Sequence, residues 1–298
     1  MDLEKKNKKT PWLLLSPTLA ILLFAVVLPI IATFQFSLKN YNLTDPTNIK
    51  FIGFKNYISV IQNPSFWNAL LNSLIVMVIV VCLGLVISLA IAQVLYKKTR
   101  ISPLLTAAVI IPWALPPIVN GIMWKFIFFP GYGLINKALL TLGLIDTPVS
   151  WTTNRLLCMV VIGFVVIWRV VPFSALVFLA NMQNIPHSYY EAISLDGANK
   201  FQAFKKITLP LLLPSFGVVM INLTTTAVNV YDEIIALAGY QFDTQTLLVY
   251  NYTNTFEFLE FGLGSAISYI IMLLTGIFGY LYVRSMTAEK VYEVNYDQ

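Results

Sequence analysis

Six runs of mostly apolar residues, each long enough to cross a bilayer, decide what this chain can fold into. They cover residues 12–36, 67–95, 104–128, 156–180, 211–237 and 262–284, and a spanning helix needs about 20 such residues. Hydrocarbon offers backbone N–H and C=O groups no water, so chains of this kind must close their hydrogen bonds inside helices. Only 11% of the 298 residues are charged and 58% are hydrophobic, whereas a soluble domain carries about 25% charged residues. The expected fold is therefore all-α and polytopic, with six transmembrane helices. One transmembrane domain over 12–285 lies between short tails at 1–11 and 286–298. The run from Trp12 is too long for a signal-peptide core and shows no small-x-small cleavage site, so it reads as an uncleaved first span.

The basic residues orient the chain. With the N-terminus inside, Lys5, Lys6, Lys8, Lys9, Lys97, Lys98, Arg100, Lys200, Lys205, Lys206, Arg284 and Lys290 are inside, against Lys39, Lys50, Lys55, Lys137 and Arg155 outside. Positive residues favour the cytoplasmic side, so both termini and the polar segment 181–210 are expected there. Several chemistries are excluded. A single histidine, His187, leaves no His-based metal cluster. There is no Gly-x-x-x-x-Gly-Lys-Ser/Thr loop for a nucleotide and no His-Glu-x-x-His. No basic patch interleaved with aromatics points to nucleic acid. The chain is expected to be no enzyme and to hold no cofactor or metal. Cys82 and Cys158, both in apolar runs, read as buried reduced thiols.

Three local patterns carry more. Pro112, Pro116 and Pro117 interrupt the third run; prolines remove backbone donors, so this stretch is expected to kink and to lie in protein or line a cavity. Gly84, Ser88 and Ala92 form a small-residue stripe for helix packing on the second run. In the fifth run, Asn222, Thr225, Thr226, Asn229, Asp232 and Glu233 fall at i, i+3, i+4, i+7, i+10 and i+11. On one helix they share a face. Polar groups in hydrocarbon turn to a bundle interior or a wet path, so this face is either a solute pathway or a set of interhelical hydrogen bonds. Trp113, Trp124, Trp168 and Tyr231 either stack on rings of a solute or serve as interfacial belts and packing. Arg169 either pairs with Asp232 or Glu233 or snorkels to an interface.

The polar segment has helical punctuation of its own. Ser188-Tyr-Tyr-Glu191 fits a capping box, Gly197 suits a helix end with positive φ, and a second short helix is expected from about Asn199 to Lys206. Glu191-Ala192, then Gly197, then Ile207-x-Leu209-Pro210 resembles the EAA motif of binding-protein-dependent ABC importer permeases. Trp168-Arg-Val-Val-Pro-Phe173, Ile111-Pro-Trp-Ala-Leu-Pro-Pro117 and Phe51-Ile-Gly-Phe-Lys-Asn-Tyr57 resemble the carbohydrate-uptake branch, of the maltose and glycerol-3-phosphate type. The resemblance covers about residues 12–285. It implies the type I ABC importer permease fold, in a prokaryotic plasma membrane. Loop 185–210 would then be a coupling helix, with Glu191, Ala192, Asp196 and Gly197 meeting a cytoplasmic ATPase. The implied partners are a second homologous permease subunit, an ATPase dimer, an extracytoplasmic solute-binding protein and a sugar or related polyhydroxylated solute. Ile193 departs from the motif, which usually has Ala there. Val166, Val170, Leu223 and Ala227, which correspond to sugar contacts in the maltose relative, are apolar here. A self-contained secondary transporter of polar solutes would need coupling-ion sites and usually an internal repeat, and no repeat is evident.

Overall fold

The computed structural model describes residues 10–97 and 99–294. Lys5, Lys6, Lys8, Lys9 and Lys98 of the orientation count, with most of the N-terminal tail and the last four residues, lie outside them. Among the described residues the structure is helical. Its sole extended pairing is an isolated bridge between Lys39 and Phe51. The elements are α1 (Pro11–Ser37), α2 (Lys55–Gln62), α3 (Pro64–Tyr96), α4 (Ser102–Ala114), α5 (Pro117–Ile127), α6 (Leu134–Thr141), α7 (Arg155–Gln183), α8 (His187–Leu195), α9 (Lys200–Leu211), α10 (Leu213–Val228), α11 (Asp232–Ala238), α12 (Leu247–Tyr252) and α13 (Phe261–Val294).

Four helices are long and apolar enough to span on their own: α1, α3, α7 and the Phe261–Arg284 part of α13. The third run kinks as its prolines predict, while the fifth departs from the single helix expected. The third is α4 and α5, bent by 98°, and the fifth opens with a 69° bend between α9 and α10. The first bend is local physics. Leu115 (φ −75°, ψ 133°) and Pro116 (φ −57°, ψ 140°) each precede a proline, and a residue before proline is pushed out of the α region into extended backbone. Pro112 is buried and lines a cavity beside Trp168 and Pro172, as expected, whereas Pro116 is exposed.

The chain forms two compact units, one of residues up to Pro64 with Asn251–Ile270, the other of Ser65–Tyr250 with residues from Ile271 on. In the first unit, Asn56 Nδ2 donates to the carbonyls of Ser37 (2.8 Å) and Lys39 (2.9 Å), closing the end of α1. Gly262 is required there because a Cβ would run into the Lys39 carbonyl. The second unit is organised around α7. Its start is capped by Asn154, whose side chain accepts from Leu157 N at 3.1 Å. α4, α10, α5 and α11 pack on it. Aromatic rings knit the contacts: Trp113 stacks on Phe173, Phe178 meets Phe216, and Trp124 meets Phe164 and Trp168 edge-on. Gly84, Ser88 and Ala92 are all buried, and a Cβ at Gly84 would lie 3.1 Å from Leu223, so the stripe is a packing seam against α10. Cys158 is buried as expected; Cys82 is instead exposed on this chain.

Candidate functional site

Two places gather the residues singled out above. The first is the polar segment between α7 and α10. Pro186 (φ −60°, ψ 134°) takes the N-cap of α8 and makes no side-chain cap bond. The expected Ser188–Glu191 capping box is therefore absent. With the helix starting at His187, Ser188 lies inside the first turn, and Glu191 Oε1 meets His187 Nδ1 one turn back at 3.0 Å. A capping box does form further on: Asn199 Oδ1 accepts from Gln202 N (2.9 Å) and Gln202 Oε1 accepts from Asn199 N (2.8 Å). Gly197 has φ +79°, the left-handed conformation that ends a helix without a Cβ penalty. The second helix starts at Lys200, widens to a π-helical turn at Phe204–Thr208, and reaches Leu211. Tyr190 and Thr208 hydroxyls bond at 2.8 Å and tie the two helices together. Glu191, Ala192, Asp196 and Gly197 are all exposed, as are Leu195 (89%), Phe201 (72%) and Tyr189 (51%).

The second place is the end of α10. The polar stripe does not continue along one helix, as the spacing had suggested. α10 stops at Val228 and α11 begins at Asp232. Asn229 is the C-cap: its N–H and its Nδ2 both donate to the Thr225 carbonyl, at 3.1 and 2.8 Å. Val230 is buried, and its carbonyl accepts from Thr246 Oγ1 at 3.1 Å. Tyr231 caps α11 from a sparsely populated backbone conformation (φ −136°, ψ −61°), and its hydroxyl bonds that of Tyr240 at 2.9 Å. Asp232 and Glu233 then fall in the first turn of α11, where carboxylates oppose the helix dipole favourably.

Four of the six stripe residues thus stay on one face of α10 and its cap. Thr225 and Asn229 are exposed, and Asn222 and Thr226 are half-buried. Asn222 Nδ2 is buried without a hydrogen-bond partner in this chain. The other two part company. Asp232 is half-buried, while Glu233 turns inward, 2% exposed, and its Oε1 accepts from Arg169 Nε on α7 at 2.8 Å. Of the partners open to Arg169, Glu233 is the one it takes. Trp168 is 44% exposed and packs edge-on against Trp124. Val166, Val170, Leu223 and Ala227 are all buried, where they serve as core packing.

Two buried amides near this place were not singled out from sequence. Asn120 Nδ2 donates to the Val165 carbonyl at 3.1 Å, fastening α5 to α7. Asn72 on α3 donates to the carbonyls of Asp243 (2.9 Å) and Gln245 (2.8 Å) and accepts from Arg155 Nε (2.8 Å), pinning the loop after α11. The signal was present, since an amide inside an apolar run is costly without such partners. Among the described residues no cluster of His, Cys, Asp or Glu could hold a metal.

Residues 84–288 match the family described as binding-protein-dependent transport system inner membrane component. The trehalose/maltose transport system permease protein MalF of Thermococcus litoralis is 33% identical over 286 residues, covering 95% of each chain. The sulfoquinovosyl glycerol transport system permease protein SmoG of Agrobacterium fabrum is 33% identical over 91% of this chain and 88% of its own. Among solved structures, a chain of a bacterial alginate ABC transporter, crystallised with an alginate pentasaccharide-bound periplasmic protein, superposes with a TM-score of 0.80. It is 21% identical over 93% of this chain and 94% of its own. At that identity the likeness is one of fold, and it is the ABC importer permease fold expected from the sequence.

Proposed function

The chain belongs to the binding-protein-dependent transport system inner membrane component family, and on that premise we propose that it forms half of the pore of an ATP-driven sugar importer. As a permease subunit it moves a solute and performs no chemistry on it. ATP is hydrolysed in separate cytoplasmic subunits, a second related permease completes the pore, and an extracytoplasmic binding protein delivers the solute. The spans at 12–285 act as one transmembrane domain in a prokaryotic plasma membrane, with both termini in the cytoplasm.

The observation that carries this reading is the form of α8–Gly197–α9. It is a capped, turned helix pair tied by Tyr190–Thr208, and it leaves Leu195 and Phe201 almost bare. Large exposed apolar groups in a polar segment mark a surface that a partner covers. Glu191, Ala192, Asp196 and Gly197 form the contact that couples to the ATPase. A rigid pair can transmit a push, and coupling requires contacts that differ between the states being coupled.

Asn222, Thr225, Thr226 and Asn229, with Tyr231, Asp232 and the neighbouring Trp168 and Arg169, are the pathway candidates. Amides and hydroxyls suit a polyhydroxylated solute, the class to which the sugars named for the relatives belong. Arg169 acts there indirectly, by holding Glu233 and with it the start of α11.

Replacing Gly197 by proline, which cannot adopt φ +79°, or Glu191 by alanine tests the coupling role. Solute uptake in cells is expected to fall by about 5–150-fold, the range of typical coupling free energies. Co-purification of the ATPase should weaken while membrane insertion is retained. Unchanged uptake in both variants would remove these residues from the coupling contact.

A further inference from the structure

A cavity of about 400 Å³ opens between the C-terminal ends of α3 and α7 and the α8–α9 segment. Its polar lining is Gln93, Tyr96, Lys97, Tyr190, Lys200 and Thr208, and none of the described lining residues is acidic. Tyr190 and Thr208 satisfy each other, so the two ammonium groups give the cavity its charge. Its apolar wall includes Ala90 and Val94. The same two residues line an adjoining, almost wholly apolar groove of about 330 Å³, which follows Ile87 and Ile91 on α3 and Leu105 and Val109 on α4. Those four residues in turn line a third apolar space of about 370 Å³, which reaches Pro112 and Trp168. The three are one track, cationic at one end and apolar along its length.

The dimensions say what fits. From Lys97 back to Ile87 is about ten residues of α3, or about 15 Å at the helical rise. That is half of a hydrocarbon core about 30 Å thick, the depth of one leaflet. A molecule with an anionic head and a tail one leaflet long is an acidic phospholipid, and basic pockets between spans on the cytoplasmic side favour such headgroups. We propose that this track binds an acidic phospholipid, its phosphate held by Lys97 and Lys200 and an acyl chain lying along Val94, Ile91 and Ile87. A helix from another subunit would cover the apolar length but leave the basic end unanswered. The bound lipid touches both the end of α3 and the segment carrying Tyr190 and Lys200, so its occupancy biases the position of α8 and α9. The inference rests on the membrane placement of the chain and is independent of which solute is carried.

The test uses the full chain in nanodiscs of equimolar phosphatidylcholine and phosphatidylglycerol, extracted into mild detergent, with retained lipid read by native mass spectrometry. The native chain is expected to retain phosphatidylglycerol preferentially. Each basic group near an acidic surface is worth roughly fivefold in affinity, so Lys97→Gln with Lys200→Gln should weaken retention by about thirtyfold. Ala90→Trp, which blocks the track below the headgroup and keeps both lysines, should weaken it as well. Equal retention of both lipids by the native chain overturns the proposal without any variant, as does retention unchanged by Ala90→Trp. If glycerol phosphate in solution displaces the lipid signal, the site takes a free anion and not a lipid. If Val94→Cys cross-links to a co-purifying subunit while no lipid is retained, the groove belongs to that subunit.

Discussion

Two of the helix interruptions in the second unit have opposite origins. The break between α4 and α5 is written into its own residues, because Leu115 and Pro116 both precede prolines and both are extended. The break between α10 and α11 contains no proline. Asn229 caps α10 locally on the Thr225 carbonyl, but the residues after it are held by bonds from elsewhere: Thr246 on the Val230 carbonyl, Tyr240 on the Tyr231 hydroxyl, and Arg169 on Glu233 just beyond. A local break persists whatever surrounds it, whereas a tertiary break lasts only while its few buried contacts last. The two meet where α11 packs on α5, so a rigid element and a conditional one share an interface beside the proposed pathway.

The largest expected effect falls on the conditional break. Glu233 is 2% and the Arg169 side chain 18% exposed, so Arg169→Met would strand a carboxylate in a dry interior. Losing one member of a buried pair costs about 3–5 kcal/mol, while replacing both with apolar residues of similar size is often neutral or better. Arg169→Met alone should therefore lower the thermal denaturation midpoint of the purified chain markedly, and Arg169→Met with Glu233→Leu should recover most of the loss. A single variant that melts like the native chain would mean that the pair does not hold α11.

An intermediate effect is expected at the shared interface. A Cβ on Gly121 would stand 2.6 Å from the Ala236 Cβ and 3.0 Å from the Glu233 Cα. Gly121→Val should cost about 1–3 kcal/mol by overpacking, read from denaturant-induced unfolding. Gly121→Ala combined with Ala236→Gly moves one methyl from α11 to α5 and relieves the closest of these contacts. A double-mutant cycle should show a coupling of about 0.5–3 kcal/mol. Additive effects would mean that α5 and α11 do not touch at this point.

The same division explains what could be read in the sequence. Local signals transferred directly: apolar length gave the spans, the prolines gave the α4–α5 break, and Gly197 gave the positive φ that ends α8. Readings that depended on where a helix starts or stops fared worse. The Ser188–Glu191 box needed Ser188 at the N-cap, but extended Pro186 holds that position. The six-residue stripe assumed one unbroken helix, yet Asn229 is a cap and Asp232 opens a new first turn. Those same residue types are favoured at helix ends, so one pattern supported two structures and packing chose between them. Hydropathy also says nothing about which neighbour covers an apolar residue. None of the apolar window of α1 is buried in this chain, against 61% of that of α7; Cys82 and Cys158 divide in the same way.

The smallest effect is expected at the local break. Pro116→Ala restores a backbone donor and frees Leu115 from its pre-proline restriction, but residue 116 still precedes Pro117 and keeps its own reason to stay extended. One of two redundant causes is removed. The cost is then mainly the greater freedom of the unfolded chain, about 0.4–1 kcal/mol. Spin labels at Leu104 on α4 and Phe126 on α5, both exposed, should report the native distance in this variant. In Pro116→Ala with Pro117→Ala both causes are gone, and the distance should lengthen as the 98° bend opens. Lengthening in the single variant would show that one proline holds the break. No lengthening in the double variant would show that contacts to α7 and α11 hold it too, which would make the two breaks alike.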